Sequence, residues 1–123
     1  SFSSIDVSFI SLSLILPPLK HILVTDGEVV ALIKPQFEAG REHVGKHGIV
    51  KDPKIHENVI QKVIQLAVES GFSPLHLDFS PITGGEGNIE FLIHLKSVAG
   101  TPEVGPEINV KETVESAHRI LTA

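Results

Sequence analysis

The apolar residues of this chain alternate between strand spacing and helix spacing, and this alternation restricts the fold more than any other feature. Phe2–Val7 and Glu28–Lys34 are typical of strands, whereas the apolar residues of Ser8–Ile22 recur at helical spacing. Because proline is tolerated only in the first turn of a helix, we expect a turn followed by a helix that starts near Pro17.

The middle of the chain adds a second strand–helix unit. The five consecutive apolar residues from Val29 to Ile33 predict a strand that is buried on both faces. Asp52 and Pro53 predict the N-cap and the first position of a long helix, and Gly71 is a typical C-terminal stop. The apolar stripe of this helix consists of Ile55, Val59, Ile60, Val63, Ile64 and Ala67.

The last third of the chain predicts a hairpin and a final helix. Phe72–Ser80 and Ile89–Leu95 both alternate between apolar and polar residues, which indicates two antiparallel strands joined by a loop of about seven residues. Ser97–Ile108 is rich in Gly, Pro and Glu and is typical of a linker. Asn109 and Glu112 form a capping box for the last helix. The resulting order, β-α-β-α-β-β-α, predicts an α/β fold with a parallel sheet finished by the hairpin.

Charge and composition restrict the partners. The formal net charge is −5, which argues against a broad surface for RNA phosphates. Five of the ten basic residues and only three acidic ones lie between Lys34 and Lys54, so a local basic loop and an ordinary solvated loop both remain open. No apolar run is long enough for a membrane span, and the absence of Cys excludes disulfides and thiolate metal sites. We therefore expect a cytoplasmic protein without a membrane partner.

Three motifs occur along the chain in a fixed order. They are Asp6-Val7-Ser8-Phe9-Ile10-Ser11, Leu32-Ile33-Lys34-Pro35-Gln36-Phe37-Glu38, and Ser80-Pro81-Ile82 followed by Gly87-Asn88-Ile89-Glu90-Phe91. In order and spacing they resemble the C-terminal half of the TlyA/FtsJ-type methyltransferases, and Gly45–Val50 between them also fits the TlyA branch. The resemblance covers about residues 2 to 96.

The resemblance implies a function and a set of site residues. Enzymes of this type transfer a methyl group from S-adenosylmethionine to a ribose 2′-hydroxyl of ribosomal RNA and use a Lys-Asp-Lys-Glu set. On this chain the catalytic positions fall on Asp6, Lys34 and Glu90, and Asp6 also falls on a cofactor contact. The first Lys and the Gly-rich cofactor loop would lie upstream of Ser1, so we expect the chain to be inactive alone.

The resemblance also implies a fold. We expect the C-terminal half of a Rossmann-like class I methyltransferase sheet, with three parallel strands, one antiparallel strand and helices on both faces. Residues 1–96 would form this half-domain, residues 97–108 a linker and residues 109–123 a C-terminal helix. The expected sheet order is first, second, fourth, third strand, which would place Lys34 within one or two strand spacings of both Asp6 and Glu90.

The chemistry of these residues is consistent with methyl transfer. Ligands of open α/β sheets bind beyond the carboxyl ends of the parallel strands, where Asp6 and Lys34 are expected. In-line methyl transfer needs the 2′-oxygen to be oriented and its proton removed. A free lysine is a poor base at neutral pH; neighbouring carboxylates retain its proton and desolvation releases it. We predict that Lys34 polarises or deprotonates the hydroxyl and that Asp6 and Glu90 position it.

Each of these residues also has an ordinary structural interpretation. By position alone, Asp6 fits a cap for the following helix, Lys34 a solvated strand end, and Glu90 a solvent-facing strand residue. It is the resemblance to the family that favours the catalytic interpretation.

The segment after Lys34 holds the candidate RNA contacts. Phe37 fits a stacking partner for the target base and fits core packing equally well. Arg41 and Lys46 are the candidate contacts of a basic loop. His43 and His47 have helical ligand spacing, but Gly45 separates them and no Glu follows His43 as in zinc proteases, so we predict no metal site.

Two other classes of function compete with an RNA methyltransferase. Relatives of this type also carry the label hemolysin, and a membrane-active protein should present a cationic amphipathic helix. The polar face of the long helix is instead balanced, with Lys54, Lys62, Glu57 and Glu69. A non-catalytic RNA-associated binding module is the third class. Failure of the full-length protein to methylate ribosomal RNA would favour it.

The first strand leads to a prediction about assembly. Phe2–Val7 contains apolar Phe2, Ile5 and Val7, and Asp6 is its only charged residue, so little discourages it from pairing with another strand. We expect a two-fold homodimer in which these strands pair antiparallel. Light scattering at high micromolar concentration should give the mass of a dimer, and the mass of a monomer would contradict this expectation.

Overall fold

The computed structural model describes residues 2–5, 16–17, 20, 25–35, 52–81 and 88–121. Within these residues the elements, in chain order, are β1 (Phe2–Ile5), β2 (Glu28–Ile33), α1 (Pro53–Glu69), β3 (Phe72–Phe79), β4 (Phe91–Ser97) and α2 (Val110–Leu121). The helix expected near Pro17 is represented by Leu16, Pro17 and Lys20, which are helical.

The strands form one sheet in the order β1-β2-β4-β3, which confirms the predicted order. β1 pairs with β2 in parallel, from Phe2 opposite Glu28 to Ile5 opposite Ala31. β4 pairs antiparallel with both β2 and β3, so the predicted antiparallel hairpin is also confirmed. Since β4 lies between strands that are distant in sequence, its two ladders connect the halves of the chain.

The core lies on one face of the sheet. Val29, Ala31 and Ile33 of β2 are fully buried, and they meet the buried residues Ile93 and Phe91 of β4. The other residues of β2 are only half buried, so the prediction that this strand is buried on both faces is wrong. Its five apolar residues alternate between the two faces of the sheet. Val29, Ala31 and Ile33 pack in the core, whereas Val30 and Leu32 lie on the less covered face.

The strand boundaries differ from those predicted where backbone pairing and apolar pattern disagree. β4 runs from Phe91 to Ser97, not from Ile89 to Leu95, because Lys96 pairs with Glu28 and Ser97 with Phe72. The loop between the two strands is therefore longer than predicted, since β3 ends at Phe79 and β4 begins at Phe91.

Local capping interactions define α1. The Asp52 side chain accepts a hydrogen bond from the backbone N–H of Lys54 at 2.9 Å, and Pro53 occupies the first turn, as predicted. The helix ends before Gly71, whose φ of 92° is favourable only for glycine. The predicted apolar stripe is buried apart from the half-buried Ile55, and His56 is buried with it.

The segment after β4 covers the outer edge of β3. The ladder between β3 and β4 shifts between Pro74 and His76, which leaves a bulge at Leu75. Beside it, the N–H of Gly105 donates to the Pro74 carbonyl at 2.7 Å, and the N–H of Glu103 donates to the Ser73 hydroxyl at 3.0 Å. A Cβ at Gly105 would lie 2.5 Å from the Leu75 oxygen, so this close approach requires glycine. The predicted linker therefore shields a strand edge.

α2 packs beside α1 and β3. The Asn109 side chain accepts from the N–H of Glu112 at 3.0 Å, which confirms the predicted cap. Val110, Val114 and Ala117 are buried in the core, and Leu121 packs partly against it. Both helices contact each other and β3, so they share the core face of the sheet.

Lys20 connects the chain before β2 to the end of the sheet. Its ammonium group donates hydrogen bonds at 2.8 Å to the Gly71 carbonyl, the Ser97 hydroxyl and the Val98 carbonyl. The same group lies 5.5 Å from the centre of the Phe72 ring. One ammonium group thus donates to three acceptors, one in the turn between α1 and β3 and two at the end of β4.

We predict that Lys20→Met lowers the free energy of unfolding by about 2–3 kcal/mol, because it leaves partly buried acceptors without their donor. Urea denaturation measures this loss. Lys62→Met, at an exposed position of α1, is the matched control and should change stability by less than about 0.5 kcal/mol. Equal effects of the two variants would contradict the anchoring role of Lys20.

Candidate functional site

The common end of β2 and β4 brings two of the predicted site residues together. Ile33 and Phe91 form the last pair of the antiparallel ladder. Lys34 follows Ile33 in the chain and Glu90 precedes Phe91, so continuing the register by one residue sets Lys34 opposite Glu90. Opposite residues of antiparallel strands have Cα atoms about 4.5–5.5 Å apart. The two residues therefore lie on the same edge of the sheet, as expected.

β3 ends at this same edge. The N–H of Ser80, the residue after β3, donates to the Glu90 carbonyl at 2.8 Å. This bond extends the pairing of β3 with β4 one step beyond Phe79 and Phe91. We call the set of Lys34, Ser80, Asn88 and Glu90 the site edge.

Three polar side chains of the site edge are withdrawn from solvent. Asn88 is 2% exposed, Glu90 7% and Ser80 8%. Glu90 is therefore not a solvent-facing strand residue, and that alternative is wrong. Lys34 is half buried, so it is neither sequestered nor freely solvated. Because most buried polar groups in proteins are hydrogen-bonded, we expect these side chains to be held in fixed positions.

Ser80 and Asn88 belong to the predicted motifs, but no role was predicted for either residue. The signal for them was the motif itself, because Ser80 begins it and Asn88 lies two residues before Glu90. Sequence alone did not show that these small polar side chains are buried, since burial depends on the meeting of three strand ends.

The other predicted site residues lie outside the described part of the chain. These are Asp6, Phe37, Arg41 and Lys46, together with the excluded metal candidates His43 and His47. β1 is described as far as Ile5, which pairs with Ala31 of β2, and Asp6 is the next residue in the sequence. The roles predicted for these residues remain predictions.

A second group of polar side chains lies on the less covered face of the sheet, opposite the core. The carboxylate of Glu28 lies 2.6 Å from Nε2 of His94, whose ring stacks on that of His76 with centroids 5.4 Å apart. His76 in turn lies 3.3 Å from the carboxylate of Glu107. Within the described ranges, no group of three or more His, Asp or Glu residues has an arrangement that could hold a metal ion. This row connects β2, β4, β3 and the segment that covers β3.

No helix in the described ranges is both long enough and apolar enough to span a membrane. The apolar stripe of α1 is instead buried in the core, where Val59, Ile60 and Val63 are at most 2% exposed. In this fold the stripe is therefore not available to insert into a bilayer.

Comparison with known proteins shows the family of the chain. Residues 2–97 match the model of the FtsJ-like methyltransferase family. The chain is 53% identical over 98% of its length to the candidate rRNA methyltransferase YqxC of Bacillus subtilis. It is 32% identical over 95% of its length to the 16S/23S rRNA (cytidine-2′-O)-methyltransferase TlyA of Mycobacterium tuberculosis. It spans 43% and 42% of these two relatives, respectively.

A solved structure shares this fold. A candidate hemolysin from Streptococcus thermophilus superimposes with a TM-score of 0.94 and is 56% identical, over 99% of this chain and 44% of that one. Among the curated relatives, Hemolysin A of Brachyspira hyodysenteriae is 43% identical over 72% of this chain and 37% of its own length. Proteins named as methyltransferases and proteins named as hemolysins are therefore both similar in sequence to this chain.

A double-mutant cycle tests whether Lys34 and Glu90 are neighbours. We predict that the destabilising effects of Lys34→Ala and Glu90→Ala are not additive and differ from their sum by about 0.5–3 kcal/mol, as is typical of residues in contact. Urea denaturation of the two single variants and the double variant gives this coupling. The control cycle combines Lys34→Ala with Glu115→Ala on the exposed face of α2 and should be additive. Additivity in both cycles would show that Lys34 and Glu90 do not interact.

Proposed function

Because this chain belongs to the FtsJ-like methyltransferase family, we propose that it is the C-terminal part of the catalytic domain of an S-adenosylmethionine-dependent ribosomal RNA ribose 2′-O-methyltransferase. The site edge is the observation that carries the proposal, since it sets Lys34 opposite the buried Glu90. The names of the relatives YqxC and TlyA support ribosomal RNA as the substrate class. The chain spans about two fifths of these relatives, so the proposal concerns the full-length protein, and we expect the chain to be inactive alone.

The sheet supports this proposal through its geometry. The carboxyl ends of β1 and β2 lie side by side, because the two strands are parallel and Ile5 pairs with Ala31. Ligands of open α/β sheets bind at this edge. We infer that the sheet is the C-terminal half of a Rossmann-like class I sheet, with β1, β2 and β3 parallel and β4 antiparallel. Asp6, directly after Ile5, is then the residue that would contact the cofactor.

The proposed mechanism assigns a task to each of Lys34, Glu90 and Asp6. S-adenosylmethionine supplies the methyl group when it is bound. For this transfer the ribose 2′-oxygen must be oriented toward the methyl group, and the hydroxyl proton must leave. Lys34 lies where it can polarise this hydroxyl, or accept its proton when the amine is neutral. Glu90 and Asp6 hold the Lys34 ammonium in place.

The segment after Lys34 supplies the proposed RNA contacts. Phe37 would stack on the target base, and Arg41 and Lys46 would contact the phosphates nearby. A local basic contact of this kind is consistent with a net charge of −5, which opposes a broad phosphate-binding surface.

A membrane-active function has less support. A lytic helix must expose its apolar face to the bilayer. The stripe of α1 is buried, and its polar face carries both Lys54 and Lys62 and both Glu57 and Glu69. Insertion of this helix would therefore require the core of the protein to open.

Substitution of Lys34 in the full-length protein tests the proposal. We predict that Lys34→Ala lowers methyl transfer to ribosomal RNA by about 10²–10⁴-fold, the usual contribution of a positioned acid or base. Binding of S-adenosylmethionine, measured by calorimetry, should remain nearly unchanged, because most of the contacts to the cofactor are expected elsewhere. Transfer is measured with a tritium-labelled methyl group.

Lys62→Ala is the matched control, since Lys62 is exposed on α1 and remote from the site edge. It should retain full activity. Activity that survives Lys34→Ala would overturn the assignment of this residue. An unmutated protein that transfers no methyl group to ribosomal RNA would overturn the proposed function and favour a non-catalytic binding module.

A further inference from the structure

Two histidines join α1 to α2 inside the protein. His56 lies in the first turn of α1 and is fully buried, and His118 lies in the last turn of α2. Nδ1 of His56 is 2.8 Å from Nε2 of His118, and the ring centroids are 4.8 Å apart. These distances define a hydrogen bond between imidazoles, in which one nitrogen donates its proton and the other accepts.

This hydrogen bond depends on the number of protons that the pair carries. A neutral imidazole has one donor nitrogen and one acceptor nitrogen, whereas a protonated imidazole has two donors. If both rings are protonated, no acceptor remains and two positive charges face each other at 2.8 Å. The contact therefore requires at least one neutral ring.

The surroundings of His118 oppose its protonation. Burial lowers the pKa of the His118 imidazole, and the negative charge of Asp52 acts in the opposite direction. The C-terminal position of His118 in α2 also favours a cation, so burial outweighs two opposing effects. Asp52 is the charged group whose effect on His118 is resolved, and the charged residues within four positions of the two histidines on their own helices are Lys54 and Glu57 on α1 and Glu115 and Arg119 on α2.

The pair lies directly behind the site edge. The ring of His56 meets that of Phe91 edge to face, with centroids 5.5 Å apart and an angle of 68°. Phe91 is the first residue of β4, follows Glu90 and pairs with Ile33, the residue before Lys34. The Phe91 ring therefore lies between the histidine pair and the backbone of the site edge.

We propose that the hydrogen bond between His56 and His118 is a proton-sensitive latch, which holds the C-terminal half of α2 against the start of α1 and opens when both rings are protonated. The direction of the pH dependence follows from the partial burial of His118. Since the pKa of His118 is lower in the folded protein than its ordinary value of 6.5, the latch contributes fully above that pH. Its contribution declines as the pH falls below 6.5, because the open state then binds protons more strongly.

Hydrogen–deuterium exchange of the intact protein tests the latch. Peptides that cover residues 110–121 are compared at pH 7.5 and pH 5.5, after correction for the intrinsic pH dependence of exchange. Each imidazole that gains a proton on opening should reduce the protection of α2 at pH 5.5, by up to about tenfold. We expect a measurable loss of protection in α2, with a smaller change in α1 and β4.

Two variants separate the latch from a general effect of acid. In His118→Gln the amide replaces Nε2 but does not titrate, so the loss of protection at pH 5.5 should be smaller than in the unmutated protein. His76→Gln removes an exposed histidine on the opposite face and should behave like the unmutated protein. Equal protection of the unmutated protein at both pH values would overturn the latch. So would an undiminished loss in His118→Gln.

Histidine titration by NMR gives a test that needs no variant. The His118 ring of the unmutated protein should titrate below pH 6.5, and its chemical shift change should be accompanied by one at His56. Titration at or above pH 6.5 would overturn the proposal. None of these measurements uses methyl transfer, so their outcome is independent of the proposed enzyme activity.

Discussion

The antiparallel pairing of β2 with β4 is the constraint on which the rest of the structure depends. It runs from Glu28 opposite Lys96 to Ile33 opposite Phe91 and lies at the centre of the sheet. A slip of one residue would exchange the two faces of a strand, and it would move buried residues such as Ala31 and Ile93 away from the core. Burial of the core therefore fixes the register. The same register sets Lys34 opposite Glu90, so the packing that stabilises the fold also assembles the site edge.

The two helices support the site edge from the core side of the sheet. Phe91, the residue after Glu90, is fully buried, and its ring contacts that of His56. His56 in turn is hydrogen-bonded to His118 of α2. A site built on rigid strands and supported from behind is positioned more accurately than a site on loops. This arrangement requires the apolar stripe of α1 to stay in the core. It therefore favours an enzyme over a membrane-active protein, although relatives carry both names.

Local signals predicted much of this structure, and non-local contacts account for the rest. The helix caps at Asp52 and Asn109 could be predicted from the sequence because each involves residues two or three positions apart. The site residue Glu90 could be predicted only from the family motif. Its burial depends on Ser80 and on the ends of β2, β3 and β4, which lie together. The partial burial of β2 and the contact between His56 and His118 could not be predicted. Both depend on contacts between residues far apart in sequence, and neither histidine has a local sequence signal.

We propose that the end of the β2–β4 pair presents Lys34 and Glu90 to the reacting 2′-hydroxyl. A structure of the full-length protein with a non-reactive S-adenosylmethionine analogue and a ribosomal RNA fragment would test this placement. We predict that Nζ of Lys34 lies within about 2.6–3.2 Å of the target 2′-oxygen, or reaches it through one water molecule. We also predict a carboxylate oxygen of Glu90 beside the same ammonium group. A target ribose bound at the opposite edge of the sheet, remote from Lys34, would contradict this placement.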